Sequence, residues 1–255
     1  MVRSRGSLLV AFSGGVDSSL LLKVAHDVLG KRVLGVIARS ETYTKEEADS
    51  AIRFAKTLGI DHLIIDTSEF SDPMFVLNPR ERCYYCKKEL FTKLKDIAEK
   101  KGISFVADGS NVDDDLDHRP GRRAIAELGV ISPLKEAGFT KQDIRDLSRK
   151  LMLPTWDMPA QACLASRIPY GTRITKKILS QIEKGEDYLK KMGIRQVRVR
   201  HHGSVASIEV EKADIPSLLE DSMMKKIGLK FKAIGFKHVT VDPKGYRTGS
   251  LNSPA

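Results

Sequence analysis

The chain has 255 residues, 41% of them hydrophobic, and a formal net charge of +10 at pH 7, which predicts one large globular domain or a large and a small one. No apolar run approaches the roughly 18 residues of a membrane-spanning helix, and the N-terminus lacks the apolar stretch of a secretion signal. We therefore expect a cytoplasmic protein with no membrane partner. Its positive charge favours anionic partners, either nucleic acid or phosphorylated small molecules.

Apolar runs and amphipathic segments alternate along the first part of the chain. The pattern predicts strands at 8–12, 33–38, 62–66 and 104–107, and helices at 20–28, 45–58, 89–100, 120–128 and 140–151. This alternation predicts an α/β fold, a parallel sheet with helices on both faces. Right-handed crossovers bring the carboxyl ends of the strands, and with them the site, to one edge of the sheet.

The last part of the chain has a different pattern. Residues 153–172 lack periodicity, which predicts an ordered loop. Beyond the loop we expect helices at 176–192 and 214–227, a hairpin of strands at 196–201 and 205–210, and a last strand at 238–242. We therefore expect an α/β domain over residues 1–172 and a small α+β domain over residues 173–255.

A glycine- and serine-rich loop, Ser13-Gly14-Gly15-Val16-Asp17-Ser18-Ser19, joins the first predicted strand to a helix. Glycines allow close approach of the backbone, and the N–H groups at a helix start attract anions. The three serines add hydroxyl donors, and Asp17 would orient the loop or hold Mg²⁺. The spacing differs from the GxxxxGK[ST] and GxGxxG patterns. The alternative is a tight glycine turn with helix-capping serines.

This loop resembles the SGGxDS motif of the PP-loop ATP pyrophosphatases, which include GMP, NAD and asparagine synthetases and several sulfur transferases. The resemblance implies that ATP is split between its α and β phosphates and that the loop holds the pyrophosphate. Two other strand ends would then contact the nucleotide, with Ala38 and Ser40 near the base and Asp108 and Asn111 near the ribose or Mg²⁺. Taken alone, the Asp- and Asn-rich turn would be typical of an ordinary loop.

Three cysteines, Cys83, Cys86 and Cys163, are candidates for metal or sulfur chemistry. An odd number without a secretion signal argues against a disulfide framework. The spacing of Cys83 and Cys86 suits zinc or an iron–sulfur cluster, and with Cys163 as third ligand one coordination position would stay open. The residues by themselves also allow a redox pair, a lone nucleophile at Cys163, or three core cysteines.

Segments 78–87, 162–171 and 242–250 are similar to those of the LarE-type sulfur transferases. That family adenylylates carboxylates of pyridinium-3,5-biscarboxylic acid mononucleotide and converts them to thiocarboxylates, for the nickel-pincer nucleotide cofactor of lactate racemase. The resemblance implies ATP, Mg²⁺ and a sulfide or sulfur donor, with Asp17, Cys163 and Arg167 as catalytic residues. One kind of family member sacrifices the cysteine at the position of Cys163. The other holds a [4Fe-4S] cluster on three cysteines, which this chain retains, so the resemblance favours the cluster.

Arg198 and Arg200 alternate on a predicted strand and so share one face. They could bind the substrate phosphate in bidentate fashion, and exposed strand charges are the alternative. The resemblance also implies that Glu186 and Glu209 contribute to an intersubunit metal site and that the chain forms a homo-oligomer, a hexamer.

Three other functions fit parts of this pattern. A tRNA-thiolating enzyme would use the same loop and cysteines, and the net charge suits RNA. Against it, aromatic residues for base stacking make up only 6% of the chain and no zinc-ribbon pairs accompany the cysteines, so we expect no nucleic-acid partner. An ammonia-using synthetase would not need the cysteines, and a nucleotide-binding module with a structural zinc would not turn ATP over.

Overall fold

A computed structural model describes residues 2–116 and 120–247. No helix within these ranges is long and apolar enough to cross a membrane. The chain divides into two compact units, the first built from Met1–Phe75 and Arg80–Gln161 and the second from Val76–Pro79 and Ala162–Ala255. The last passage between units thus falls between residues 161 and 162. The domain boundary expected after residue 172 stays a prediction.

The first unit is built around a parallel sheet. Its strands are β1 (Leu8–Ala11), β2 (Val33–Arg39), β3 (His62–Asp66) and β4 (Phe105–Ala107). They pair in the order β3-β2-β1-β4, and every pairing is parallel. The helices from residue 16 to residue 150 are α1 (Val16–Leu29), α2 (Lys45–Thr57), α3 (Pro73–Val76), α4 (Arg82–Lys100), α5 (Gly121–Glu127), α6 (Pro133–Glu136) and α7 (Lys141–Lys150).

Helices cover both faces of this sheet. Successive residues of β1 point to opposite faces, and each face packs against a different set of helices. Leu8 and Val10 pack into one apolar cluster with residues of α1, α2 and α7. Leu9 packs into a second cluster with residues of α4 and α5. A strand buried on both faces is apolar at every position, as β1 is. The predicted α/β fold is therefore confirmed.

Helix α4 begins earlier than its sequence pattern indicates. The apolar periodicity predicts a start at residue 89, whereas the helix begins at Arg82 and includes Cys83 and Cys86. The residue before it, Glu81, makes no side-chain cap, so the usual sequence signal of a helix start is missing. Tyr84 is buried in this first turn and extends the buried face of the helix.

The second unit is a small α+β assembly, as expected. Its strands are β5 (Val197–His202), β6 (Val205–Val210) and β7 (His238–Val241), and its helices are α8 (Lys176–Lys191), α9 (Ile215–Leu218) and α10 (Asp221–Ile234). Strands β5 and β6 form the predicted antiparallel hairpin, and β7 pairs with β6 in parallel. The single helix predicted at 214–227 is wrong, because the backbone is extended at Glu220 and divides the segment into α9 and α10.

Candidate active site

The glycine- and serine-rich loop lies between β1 and α1, at the carboxyl edge of the sheet. Gly14 has a φ of +79°, and a Cβ there would lie 3.0 Å from the Cβ of Ala51 in α2. The Ser13 and Ser18 hydroxyls are 3.0 Å apart, and the Ser18 hydroxyl donates to the Gly15 carbonyl at 3.3 Å. No side chain caps α1 at Gly15. The positive end of α1 therefore faces a loop with the shape and donors of an anion site.

The turn after β4 packs directly on this loop. A Cβ on Gly109 would lie only 2.9 Å from the backbone nitrogen of Ser18. Asn111 Nδ2 donates to Asp17 Oδ1 at 3.2 Å. Asp108 accepts hydrogen bonds from the hydroxyls of Ser110 and Ser132 at 2.5 and 2.6 Å, which connect the turn to residue 132. The structure thus brings together the residues predicted at the ends of the first and fourth strands.

Lys141 is a functional candidate that sequence reasoning missed. Its Nζ lies 2.5 Å from Asp17 Oδ2, and both side chains are partly exposed. It is the first residue of α7, whose start is fixed by a capping box between Thr140 and Asp143. That capping box is the sequence signal that could have found it, because helix starts in an α/β unit lie at the same sheet edge as the strand ends.

Glu69, which follows the end of β3, is a second functional candidate that the sequence analysis did not name. Ala38 lies within β2, and the Ser40 hydroxyl lies 2.8 Å from that of Thr42. The Glu69 side chain is 2% exposed, and burial raises its pKa despite hydrogen bonds that include one from Ser40. The Cys86 thiol donates to Glu69 Oε1 at 3.8 Å. Glu69 therefore lies between the predicted base-binding end of β2 and one of the cysteines.

Two of the cysteines lie near the positive end of α4. Cys83 and Cys86 are three residues apart on a helix and so face the same side. Thiolates are the ligands that cysteine supplies to zinc and to iron–sulfur clusters. All three cysteines are partly exposed and form no disulfide. The donor set thus fits a thiolate-held metal or cluster.

Cys163 belongs to the second compact unit, whereas Cys83 and Cys86 belong to the first. Within residues 2–116 and 120–247, no group of three or more His, Cys, Asp or Glu side chains is arranged to hold a metal ion. The predicted ligand trio therefore stays a prediction.

Arg167 holds the backbone around Cys163. Its Nη1 donates to the carbonyls of Ala162 and Cys163 at 2.6 and 3.0 Å. Its Nε and Nη2 donate to the two oxygens of Glu186 at 2.8 and 2.9 Å. Burial alone would raise the pKa of Glu186, but the charge and hydrogen bonds of Arg167 outweigh it, so the pKa is lowered. Arg167 thus connects the backbone at residues 162 and 163 to Glu186. Its catalytic role stays a prediction.

Arg198 and Arg200 are both only 7% exposed, so the alternative of exposed strand charges is wrong. Arg200 Nη2 lies 2.6 Å from Glu209 Oε2, and the Arg198 guanidinium lies 5.4 Å from the ring centre of Tyr246. Burial, followed by the charge of Arg167, lowers the pKa of Arg198. Glu186 and Glu209 each accept from an arginine, and their role at an intersubunit metal stays a prediction. Residues 248–250 of the third similar segment lie outside the described residues.

Comparisons with known proteins agree with this geometry. The NAD synthase family matches residues 2–82, which include the glycine- and serine-rich loop and end just before Cys83. An uncharacterized protein of Synechocystis is 42% identical over 96% of this chain and 91% of its own length. An uncharacterized protein of Methanocaldococcus jannaschii is 30% identical over 94% of this chain and 91% of its own length.

A third relative carries a functional name. The pyridinium-3,5-bisthiocarboxylic acid mononucleotide synthase of Lactiplantibacillus plantarum is 40% identical over 95% of this chain and 88% of its own length. Similarity of this extent covers both compact units and all three cysteines. The chain therefore belongs to the LarE-type sulfur transferase family of PP-loop proteins.

Proposed function

We propose that this protein adenylylates the carboxylates of pyridinium-3,5-biscarboxylic acid mononucleotide with ATP and converts them to thiocarboxylates in the cytoplasm. The observation that carries the proposal is the uncapped start of α1, which faces the glycine loop beside Asp17, Asn111 and Lys141. The named activity of the L. plantarum relative supports the choice of substrate.

The first step joins AMP to the substrate. A carboxylate oxygen attacks the α-phosphorus of ATP, the bond from that phosphorus to the bridging oxygen breaks, and pyrophosphate leaves. Backbone N–H groups at the start of α1 and the Ser13 and Ser18 hydroxyls stabilise the departing charge. Lys141 Nζ moves from Asp17 to the phosphates, and the released Asp17 carboxylate would hold Mg²⁺.

The second step delivers sulfur to the acyl-adenylate, and AMP leaves. Cys83, Cys86 and Cys163 would hold a [4Fe-4S] cluster, which would supply the sulfide that replaces AMP on the acyl carbon. Gln161 Oε1 would lie 3.4 Å from a Cβ on Gly15, so the last residue of the first unit lies against the phosphate loop.

The second unit would hold the phosphate of the nucleotide substrate. Arg167, Arg198 and Arg200 bring three positive charges against the carboxylates of Glu186 and Glu209. A guanidinium pairs well with a phosphate, because its planar N–H donors match the phosphate oxygens in bidentate fashion. We also propose a homo-oligomer, a hexamer, on the basis of the family resemblance.

Product analysis tests the function. Protein reconstituted anaerobically with iron and sulfide is incubated with ATP, Mg²⁺, a sulfide donor and the biscarboxylate nucleotide. We expect AMP, pyrophosphate and thiocarboxylate in equal amounts. Formation of thiolated nucleosides on tRNA, with no turnover of the biscarboxylate nucleotide, would contradict the proposal and favour the tRNA alternative.

Protein mass and iron content distinguish the two sulfur routes. A cluster predicts a brown protein with about four irons per chain and an unchanged protein mass after many turnovers. A colourless protein that is fully active, or a single turnover with loss of one H₂S from Cys163, would exclude the cluster and support the sacrificial route.

A further inference from the structure

Residues 76–79 are a short part of the second unit inserted into the first. The chain leaves the first unit after Phe75 and returns to it at Arg80, and it passes to the second unit again after Gln161. Cys83 follows the return at Arg80 by three residues, and Cys163 follows Gln161 by two. Cys83 and Cys163 thus each lie a few residues after a point where the chain crosses from one unit to the other.

Asn78 connects this insertion by hydrogen bonds to residues 168–174, the loop that follows Cys163. Its side chain is fully buried. Nδ2 donates to the carbonyls of Pro169 and Thr172 at 2.8 and 3.0 Å, with the Ile168 carbonyl at 3.4 Å. In return, Gly171 N–H donates to the Asn78 carbonyl at 2.9 Å. The side-chain amide of Asn78 therefore donates hydrogen bonds to several backbone carbonyls of this one loop.

A second backbone bond extends the same contact. Ile174 N–H donates to the Val76 carbonyl at 2.9 Å. The insertion and the loop are therefore joined at both ends of residues 76–78, which orients the chain that leads to Cys83.

The chemistry of this position requires asparagine. Asn78 has a φ of +57°, a conformation that asparagine tolerates far better than most residues. Its amide nitrogen carries two protons to donate. An aspartate has the same size but only acceptor oxygens when ionised, so it would face the carbonyls without a proton to offer. A glycine keeps the backbone conformation and loses every side-chain bond.

The path from this turn back to Cys163 is short and fixed. Ile168 N–H donates to the Ala165 carbonyl at 3.1 Å, and Ser166 N–H donates to the Cys163 carbonyl at 2.9 Å. The bond from Arg167 to the Cys163 carbonyl closes the same turn. Movement at the Asn78 contact therefore reaches the Cys163 backbone through a few hydrogen-bonded residues.

We propose that Asn78 is a positioning residue that fixes the chain entering Cys83 relative to the loop that follows Cys163. The inference rests on the proposed function, in which cysteines of both segments act on one activated carboxylate. Ligands that come from separate parts of a sequence need such a connection, since a displacement of about 1 Å can cost on the order of 100-fold in rate.

Asn78→Asp tests the inference by separating the two half-reactions. We expect substrate-dependent exchange of pyrophosphate into ATP to stay within about threefold of wild type, since the phosphate loop belongs to the other unit. Formation of thiocarboxylate should fall on the order of 100-fold. Iron retained after anaerobic reconstitution should fall as well, which is a readout independent of turnover.

Two further variants keep the test decisive. Gln181→Glu removes an amide that donates to the Ile234 carbonyl in the same unit, and it should change both half-reactions and the bound iron equally little. Asn78→Gly preserves the positive φ, and it should repeat the Asn78→Asp pattern if the first variant folds poorly.

Equal loss of both half-reactions in the Asn78 variants, or full sulfur transfer by them, would overturn the inference. Lack of thiocarboxylate from wild type would instead contradict the proposed function, and the iron content would still test Asn78.

Discussion

At the scale of single residues, the contact between Lys141 and Asp17 carries the clearest prediction. Lys141→Ala should lower the rate of pyrophosphate release about 100-fold, because one charged donor to the departing phosphates is lost. The free energy of unfolding should change by less than about 1 kcal/mol, since the pair is partly exposed. Lys23→Ala, which removes an ion pair with Asp27 within α1, is the matched control. Equal rates for the two variants would contradict a role for Lys141 in catalysis.

His201 gives a prediction about pH. Burial lowers its pKa from the ordinary value of 6.5, and the charge of His202 adds to this. The unfolded chain therefore binds a proton more readily than the native protein, so His201 costs stability as the pH falls below 6.5. His201→Phe keeps a ring against Phe236 and removes this cost. Urea unfolding should show a gain for the variant that grows towards acid, and a pH-independent difference would refute the explanation.

At the scale of elements, the close packing of the turn after β4 against the start of α1 sets the geometry of the phosphate loop. A methyl group at Gly109 would meet the Ser18 nitrogen at 2.9 Å, so one backbone must move. Gly109→Ala should lower pyrophosphate exchange on the order of 100-fold. Gly228→Ala in α10 is the matched control, since its Cβ meets nothing within 4 Å, and it should stabilise the protein by roughly 0.5–1 kcal/mol. Normal exchange by Gly109→Ala would show that the packing is dispensable.

Local pattern predicts these elements well and their contacts poorly. The strand at β1 is predictable because burial on both faces leaves a continuous apolar run, and the phosphate loop is predictable because its glycines and serines are adjacent in sequence. The start of α4 is missed because Glu81 provides no cap. Lys141 and Glu69 are missed for a different reason. The capping box at Thr140 marks Lys141 as the start of a helix. It does not record the contact of Lys141 with Asp17, 124 positions away, and no helix signal records the contact of Glu69 with Cys86, 17 positions away.

At the scale of the whole molecule, the phosphate loop belongs to one compact unit, and Arg167, Arg198 and Arg200 belong to the other. The cysteines are divided between both. The family match covers 95% of the chain, so it includes both units. Activation of a carboxylate at the loop is the claim on which the sulfur chemistry depends, since sulfur can replace an oxygen only after that oxygen becomes part of a good leaving group.

Labelling of the substrate carboxylates with heavy oxygen tests this claim most directly. The attacking carboxylate oxygen becomes bonded to the α-phosphorus, and it stays there when sulfur displaces AMP. Mass spectrometry should therefore find one heavy oxygen in each AMP formed and none in the pyrophosphate. Unlabelled AMP, or label in inorganic phosphate, would contradict adenylylation of the carboxylate.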